Sequence, residues 1–408
     1  MYNINNLEKG EITIKRLILV LGIILIAFNL RPALTAVGPL VSLIRTDMEL
    51  SNSVIGLITT LPLITFAVFS PFVPRISYQF GNERTLFLGL LFLLLGILIR
   101  SIDKVSVLFA GTVLVGLGIA IGNVLLPSLI KDKFPRKVGL MTSVYSTAMA
   151  IFAALASGLS IPLAEGLNLG WQGSLAYWAI LTAVAVVLWI PQLRQQKKPI
   201  QQQKDKSLQQ KLWRSPLAWQ VTFFMGLQSI IFYVSVAWLP EILHSYGISI
   251  SLAGWLLFFL QFIGIPTTFI APLLAERYPN QQKLVVVIGA LCLVGFGGLV
   301  VFKDIILLTL SILLLGLGQG ATISLAYALF VLRTNNAQQA AELSGMAQSI
   351  GYVLAALGPL IIGWMFDLTN SWVLPLVFLM VLSLLMTIAG FGAGRNRYVL
   401  PEESNLPS

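Results

Sequence analysis

The chain has 408 residues, of which 57% are hydrophobic and only 10% charged, with a net charge of +10. A soluble domain carries about 25% charged residues, and one core of this size could not hide so much apolar surface; a soluble enzyme and a disordered chain are therefore excluded. A single cysteine, Cys292, and a single histidine, His244, leave no internal disulfide and no soft metal-ligand cluster.

A helix needs roughly 20 apolar residues to cross the hydrocarbon of a bilayer. Twelve runs meet that need, at 17–44, 54–80, 85–99, 105–130, 138–163 and 173–190, then at 217–243, 252–275, 284–301, 305–332, 343–366 and 372–391. They are too long for strands and lack period-two alternation. The first run exceeds the length of a signal-peptide core and no small-residue cleavage site follows it, so it is expected to remain as the first span. The fold class expected is an all-α membrane protein with 12 transmembrane helices in two pseudo-symmetric six-helix bundles. Residues 1–191 form the first bundle, 192–215 a polar, Gln-rich linker, and 216–408 the second.

With both termini cytoplasmic, 21 of the 26 basic residues fall on the cytoplasmic side, Lys9, Lys15, Arg16, Lys197, Lys198 and Lys204 among them. Only Arg45, Arg100, Lys104 and Lys303 fall outside. That asymmetry predicts a multi-pass protein of a bacterial cytoplasmic membrane with both ends inside. It also explains the positive charge without a nucleic-acid partner.

The two halves echo each other at an offset near 200 residues. Leu50-Ser51-Asn52-Ser53-Val54-Ile55-Gly56 matches Ile248-Ser249-Ile250-Ser251-Leu252-Ala253-Gly254, each entering a span, and Gly116-Leu117-Gly118 matches Gly316-Leu317-Gly318. Six-plus-six repeats are a transporter architecture, with the substrate near the midplane between the halves and access alternating as they rock. The glycines 116, 118 and 122 lie inside an apolar helix with no strand before them, so they read as packing sites rather than a dinucleotide loop.

All sixteen acids map to loops, tails or helix ends, but Arg31 sits midway along the first span. A mid-bilayer arginine costs about 2.5–3.5 kcal/mol on insertion scales. With no acid at that depth, Arg31 is the expected principal substrate contact, its planar fork suiting a flat anion. Thr35 lies one turn beyond it. Asn123, Tyr145, Gln228, Tyr233, Gln319, Gln348 and Tyr352 complete the set of mid-span polar residues. Singly each reads as interhelical glue; together they predict a substrate-binding cavity. Trp171 and Trp238, near span ends, read as members of the aromatic belts.

The chain resembles the major facilitator superfamily, and within it the branch of cyanate and nitroimidazole permeases. The resemblance is carried by Asn29-Leu30-Arg31-Pro32, by Gly122-Asn123-Val124-Leu125-Leu126-Pro127 running to Lys133-Phe134-Pro135, and by Trp171-Gln172-Gly173. It continues in Gly226-Leu227-Gln228-Ser229 with Tyr233 and Trp238-Leu239-Pro240, in Gly316-Leu317-Gly318-Gln319-Gly320, and in Leu343-Ser344-Gly345-Met346-Ala347-Gln348 with Gly351-Tyr352. It implies a secondary transporter of a small planar anion or polar heterocycle, cyanate-like or nitroimidazole-like, working by alternating access as a monomer, without cofactor or catalysis. The superfamily's acid in the loop after the second span is replaced here by Tyr78, which places the usual gating ion pair in doubt. The alternative, a multidrug-type exporter of larger neutral or cationic compounds, is disfavoured because a cation would meet Arg31 uncompensated.

Overall fold

A computed structural model of the chain describes residues 17–194 and 206–401. Lys9, Lys15, Arg16, Lys197, Lys198 and Lys204 lie outside the described residues, as does the middle of the linker. Among the described residues there is no strand. Twelve helices among these residues are long and apolar enough to cross a membrane: span one Leu17–Thr35, two Leu57–Phe80, three Asn82–Arg100, four Val105–Lys133, five Val138–Gly166, six Gly170–Leu193, seven Pro216–Ser245, eight Ser251–Arg277, nine Gln282–Val301, ten Ile305–Leu332, eleven Ala337–Thr369 and twelve Val373–Ala393.

The ends of these helices follow capping chemistry more closely than hydropathy. Ser51 accepts from the Val54 N–H at 3.4 Å and Ser249 from the Leu252 N–H at 3.3 Å, so the repeated serine of the two entry motifs is an N-cap in both halves. Span eleven starts at Ala337, well before its apolar run, because Asn336 accepts from the Gln339 N–H at 2.9 Å. The linker's second part forms the helix Lys206–Arg214, which buries Leu208 and Leu212 and receives a hydrogen bond from Arg75 Nη2 to Gln209 Oε1 at 3.0 Å.

Packing repeats between the halves. Spans two and three pack on four and three on six, just as eight and nine pack on ten and nine on twelve. The paired glycines make those contacts. A Cβ on Gly116 would meet the Thr65 side chain of span two, and one on Gly316 the Leu260 backbone of span eight. Likewise Gly118 faces the Gly89 carbonyl of span three, and Gly318 the Cys292 sulfur of span nine. Spans four and ten are thus equivalent. The halves meet along spans five and eight and along spans two and eleven, two contacts that a two-fold axis exchanges.

Span one departs from the continuous helix expected over 17–44. It is helical to residue 29, breaks at Leu30 and Arg31, resumes as Pro32–Thr35, turns at Ala36 and continues as Val37–Asp47. Pro32 has no N–H to continue the ladder and its ring disfavours helical geometry at the residue before it. Arg31 therefore becomes the N-cap residue of a new helical start. Trp171 is also not a belt residue: it is 3% exposed, and its indole N–H donates to Asp47 Oδ2 at 2.7 Å, tying span six to the end of that continuation.

Candidate functional site

A cavity of about 620 Å³ lies between the two bundles. Its walls come from the parts of the spans nearest the loops that join one to two, five to six, seven to eight and eleven to twelve, which we call the distal end. Gly38 and Thr59 on its wall are exposed, so it reaches the surface there. The lining is largely apolar, holds two guanidiniums, Arg31 and Arg100, and includes no Asp or Glu.

Arg31 projects into the cavity from the break in span one. The break turns a helix side chain into one at a helix start, and Thr35 braces it by donating to the Arg31 carbonyl at 3.2 Å and to the Ala153 carbonyl of span five at 3.0 Å. Around the guanidinium stand the phenols of Tyr233, Tyr327 and Tyr352. The buried Tyr233 hydroxyl lies within interaction range of Arg31 and has no partner of full hydrogen-bond geometry among the described residues. Arg31 with the phenols of Tyr233 and Tyr327 on the wall, and no carboxylate among the described lining residues, makes an electropositive pocket with aromatic walls.

The nine predicted residues divide into two layers. Arg31, Thr35, Tyr233 and Gln319 line the cavity. Gln319 donates to Ser235 Oγ at 2.9 Å and keeps its carbonyl oxygen unpaired. Asn123, Tyr145, Gln228, Gln348 and Tyr352 do not line it and are nearly fully buried. Gln348 donates to the Asn123 carbonyl at 2.9 Å across the two halves, and the Asn123 amide donates to the Tyr352 hydroxyl at 3.4 Å. Gln228 is turned to its own helix, donating to Ser229 Oγ at 2.8 Å. Tyr145 stacks obliquely on Tyr327 at 5.8 Å.

Below that layer the halves are held together toward the opposite end, where residues 17 and 401 lie. Ser143 Oγ donates to the Phe269 carbonyl at 2.6 Å, Ser349 Oγ to the Ala67 carbonyl at 2.6 Å, Ser128 Oγ to the Ala337 carbonyl at 2.8 Å and Lys131 Nζ to the Val331 carbonyl at 3.1 Å. Tyr78, standing where the superfamily's acid was expected, donates to Glu342 Oε1 at 3.1 Å and so supplies a neutral donor for the missing ion pair. Nearby, Lys133 pairs with Glu83 at 2.9 Å and with Asp132 at 3.1 Å, both within one half. The cavity is open at one end and latched at the other.

Tyr327 and Arg100 are among the cavity residues that escaped the sequence reading. Tyr327 lies at four-residue steps from Gln319 through Ile323, all three lining the cavity, and that spacing along span ten was the signal that pointed to it. Arg100 was expected in an outer loop; it is 1% exposed, and its Nη1 donates to the Ala33 carbonyl at 2.5 Å. The carbonyls beside the break in span one thus gain partners from other spans, the second being Ala36, which accepts from Ser160 Oγ at 3.0 Å.

Residues 19–359 match the family model described as Major Facilitator Superfamily. The chain is 50% identical over 390 residues to "Uncharacterized transporter YycB" of Bacillus subtilis, covering 96% of each chain. It is 43% identical to "2-nitroimidazole transporter" of Escherichia coli, covering 94% of this chain and 97% of that protein. To "Cyanate transport protein CynX" of Escherichia coli it is 27% identical, covering 88% and 93%. Among solved structures the proton:xylose symporter XylE superposes with a TM-score of 0.74 at 14% identity, covering 94% and 96% of the two chains, a likeness of fold.

Proposed function

The chain belongs to the Major Facilitator Superfamily and is a membrane transporter, and from that premise we propose that it carries a small planar anion or electron-rich heterocycle, with Arg31 as the principal contact. The observation that carries the reading is the cavity's charge: Arg31 and Arg100 line it and no carboxylate does. A guanidinium offers two parallel N–H donors to a flat acceptor, and the rings of Tyr233 and Tyr327 supply faces for a planar ligand. A nitroimidazole ring or a cyanate-like anion meets both requirements, which agrees with what two relatives are named for. A larger cationic drug would meet two uncompensated positive charges.

We further propose that residues 1–191 and 216–408 rock as two units about the linker 192–215, in a monomer. With both termini cytoplasmic, as the basic residues imply, the cavity described here faces outward and the latched end faces the cytoplasm. Substrate entering from outside would settle on Arg31 above the Asn123–Gln348–Tyr352 layer. Parting of that layer and of the Tyr78–Glu342 contact would open the other side.

The test is flux in proteoliposomes. Labelled 2-nitroimidazole and cyanate are offered in turn, with nitrate or benzoate as competitor. The expected result is saturable uptake that flat anions inhibit and tetraphenylphosphonium does not. Uptake that this cation inhibits and flat anions leave untouched would overturn the reading in favour of the drug exporter.

A further inference from the structure

Span three brings a second arginine to the cavity in a setting that its single hydrogen bond does not explain. Spans three and four approach at Gly96 and Gly111, where a Cβ on Gly111 would lie 2.6 Å from that of Arg100. This backbone crossing forces Arg100 inward, against the carbonyl of Ala33 in the short helix that begins at Arg31. A guanidinium carries five N–H donors. Here Nη1 is used, while Nε and Nη2 are buried and meet no acceptor among the described residues. Nε and Nη2 form the side-on edge of the guanidinium, the pair of atoms that gives two parallel hydrogen bonds to one carboxylate. A buried charged donor left without a partner is costly, and no carboxylate lines the cavity to supply one.

We infer that Arg100 is a second anion-binding subsite, which takes a planar carboxylate or oxyanion on its Nε–Nη2 edge on the distal side of Arg31. Arg100 ends span three at the distal end and grips Ala33, two residues past Arg31 and about 3 Å further along a helix axis. Nε and Nη2 are shut from solvent in this state, so an anion entering from that end reaches them as the Arg100 side chain turns into the cavity it lines, and then passes to Arg31 by a short step. Two cations in series keep an anion attracted along the path without either site holding it too tightly to leave. The inference rests on the anionic reading of the cavity given above.

The experiment titrates full-length protein in nanodiscs with benzoate and with nitrate by calorimetry, at ionic strength held constant with sodium chloride, whose anion is spherical and carries no carboxylate. Wild type is compared with R31Q, R100Q, R100K and the double variant R31Q/R100Q, and melting temperatures are recorded without added anion. Gln keeps an amide N–H for the Ala33 carbonyl and Lys keeps the charge, so at least one Arg100 variant retains the clasp on span one. The expected result is about tenfold weaker benzoate binding in R100Q and R100K, residual binding in R31Q, and none in the double variant. Wild-type affinity for both anions in a folded R100Q or R100K, whatever its melting temperature, would show that Arg100 is only a clasp on Ala33. Loss of all binding in R31Q would show a single site. A wild type that binds neither anion would overturn the anionic reading itself, and this inference with it.

Discussion

An arginine halfway along a membrane span must find acceptor partners or a ligand, and Arg31 has the phenol oxygens around it and a cavity. Replacing it by Lys keeps the charge but loses the planar fork, and a planar anion should then bind more weakly by about 1–3 kcal/mol. Replacing it by Ala should weaken binding further while protein yield and melting temperature hold or rise, because an expensive buried charge is gone. Ligand affinity and melting temperature for the two variants check this; intact binding with lost folding would make Arg31 structural. Tyr327→Phe keeps the ring and removes the hydroxyl beside Arg31, so it should cost affinity about 0.5–1.5 kcal/mol with little change in melting; equal affinity would remove Tyr327 from the site. Arg31 was legible because depth alone marks it: it is a charge far from either end of a 28-residue apolar run at 17–44. Arg100 was not, since it stands at the boundary of its run, and only the crossing at Gly96 and Gly111 turns it inward. Depth also admitted Asn123 and Gln348 as cavity residues. They are deep, but they face each other across the bundle interface, and a facing direction is a tertiary fact that one sequence does not display.

Helix by helix, the sequence carried most of the fold, because apolar length is what the bilayer selects and the two capping serines announce where spans two and eight begin. What it concealed was the break in span one, although Pro32 was visible: a membrane helix can hold a proline with only a bend when neighbours satisfy the freed groups. Here Arg100 and Ser160 supply those partners, so the break is sustained. The equivalent glycines give a sharper test of the repeat. A Cβ at position 118 would lie 2.5 Å from the Gly89 carbonyl, a backbone atom that cannot swing aside. Gly118→Ala should therefore destabilise by about 1–3 kcal/mol through overpacking. Gly38→Ala, whose Cβ would meet nothing within 4 Å, should be near neutral. Thermal melts of the two variants in the same detergent check the contrast; equal melting temperatures would mean that spans three and four do not pack as described.

At the scale of the molecule, the open distal end and the latched opposite end correspond to one limb of the proposed two-state cycle. Among the described residues no carboxylate lines the cavity, and the proposed transport uses none as a proton carrier. Glu241→Gln should leave flux intact, and a folded variant without flux would expose a proton site. Each cross-bundle hydrogen bond of the latch contributes about 0.5–1.5 kcal/mol net, so a few of them are enough to hold one state over the other. Removing one is correspondingly measurable. Tyr78→Phe deletes the donor to Glu342 without altering packing; a loss of about 1 kcal/mol shifts the population ratio roughly fivefold toward the state latched at the distal end. Spin labels at Asp103 and Lys303, both exposed in loops at the distal end, report closure there. Labels at Arg136 and Asn280, exposed in loops at the opposite end, report opening of the latch. Because the halves are related by a two-fold axis and rock as units in the proposed cycle, the two distances must move in opposite senses. In Tyr78→Phe the Asp103–Lys303 distribution should gain a shorter component as the Arg136–Asn280 distribution gains a longer one, in matching proportion. A change confined to one pair would mean that the ends move independently, and two unchanged distributions would mean that Tyr78 and Glu342 are no latch at all.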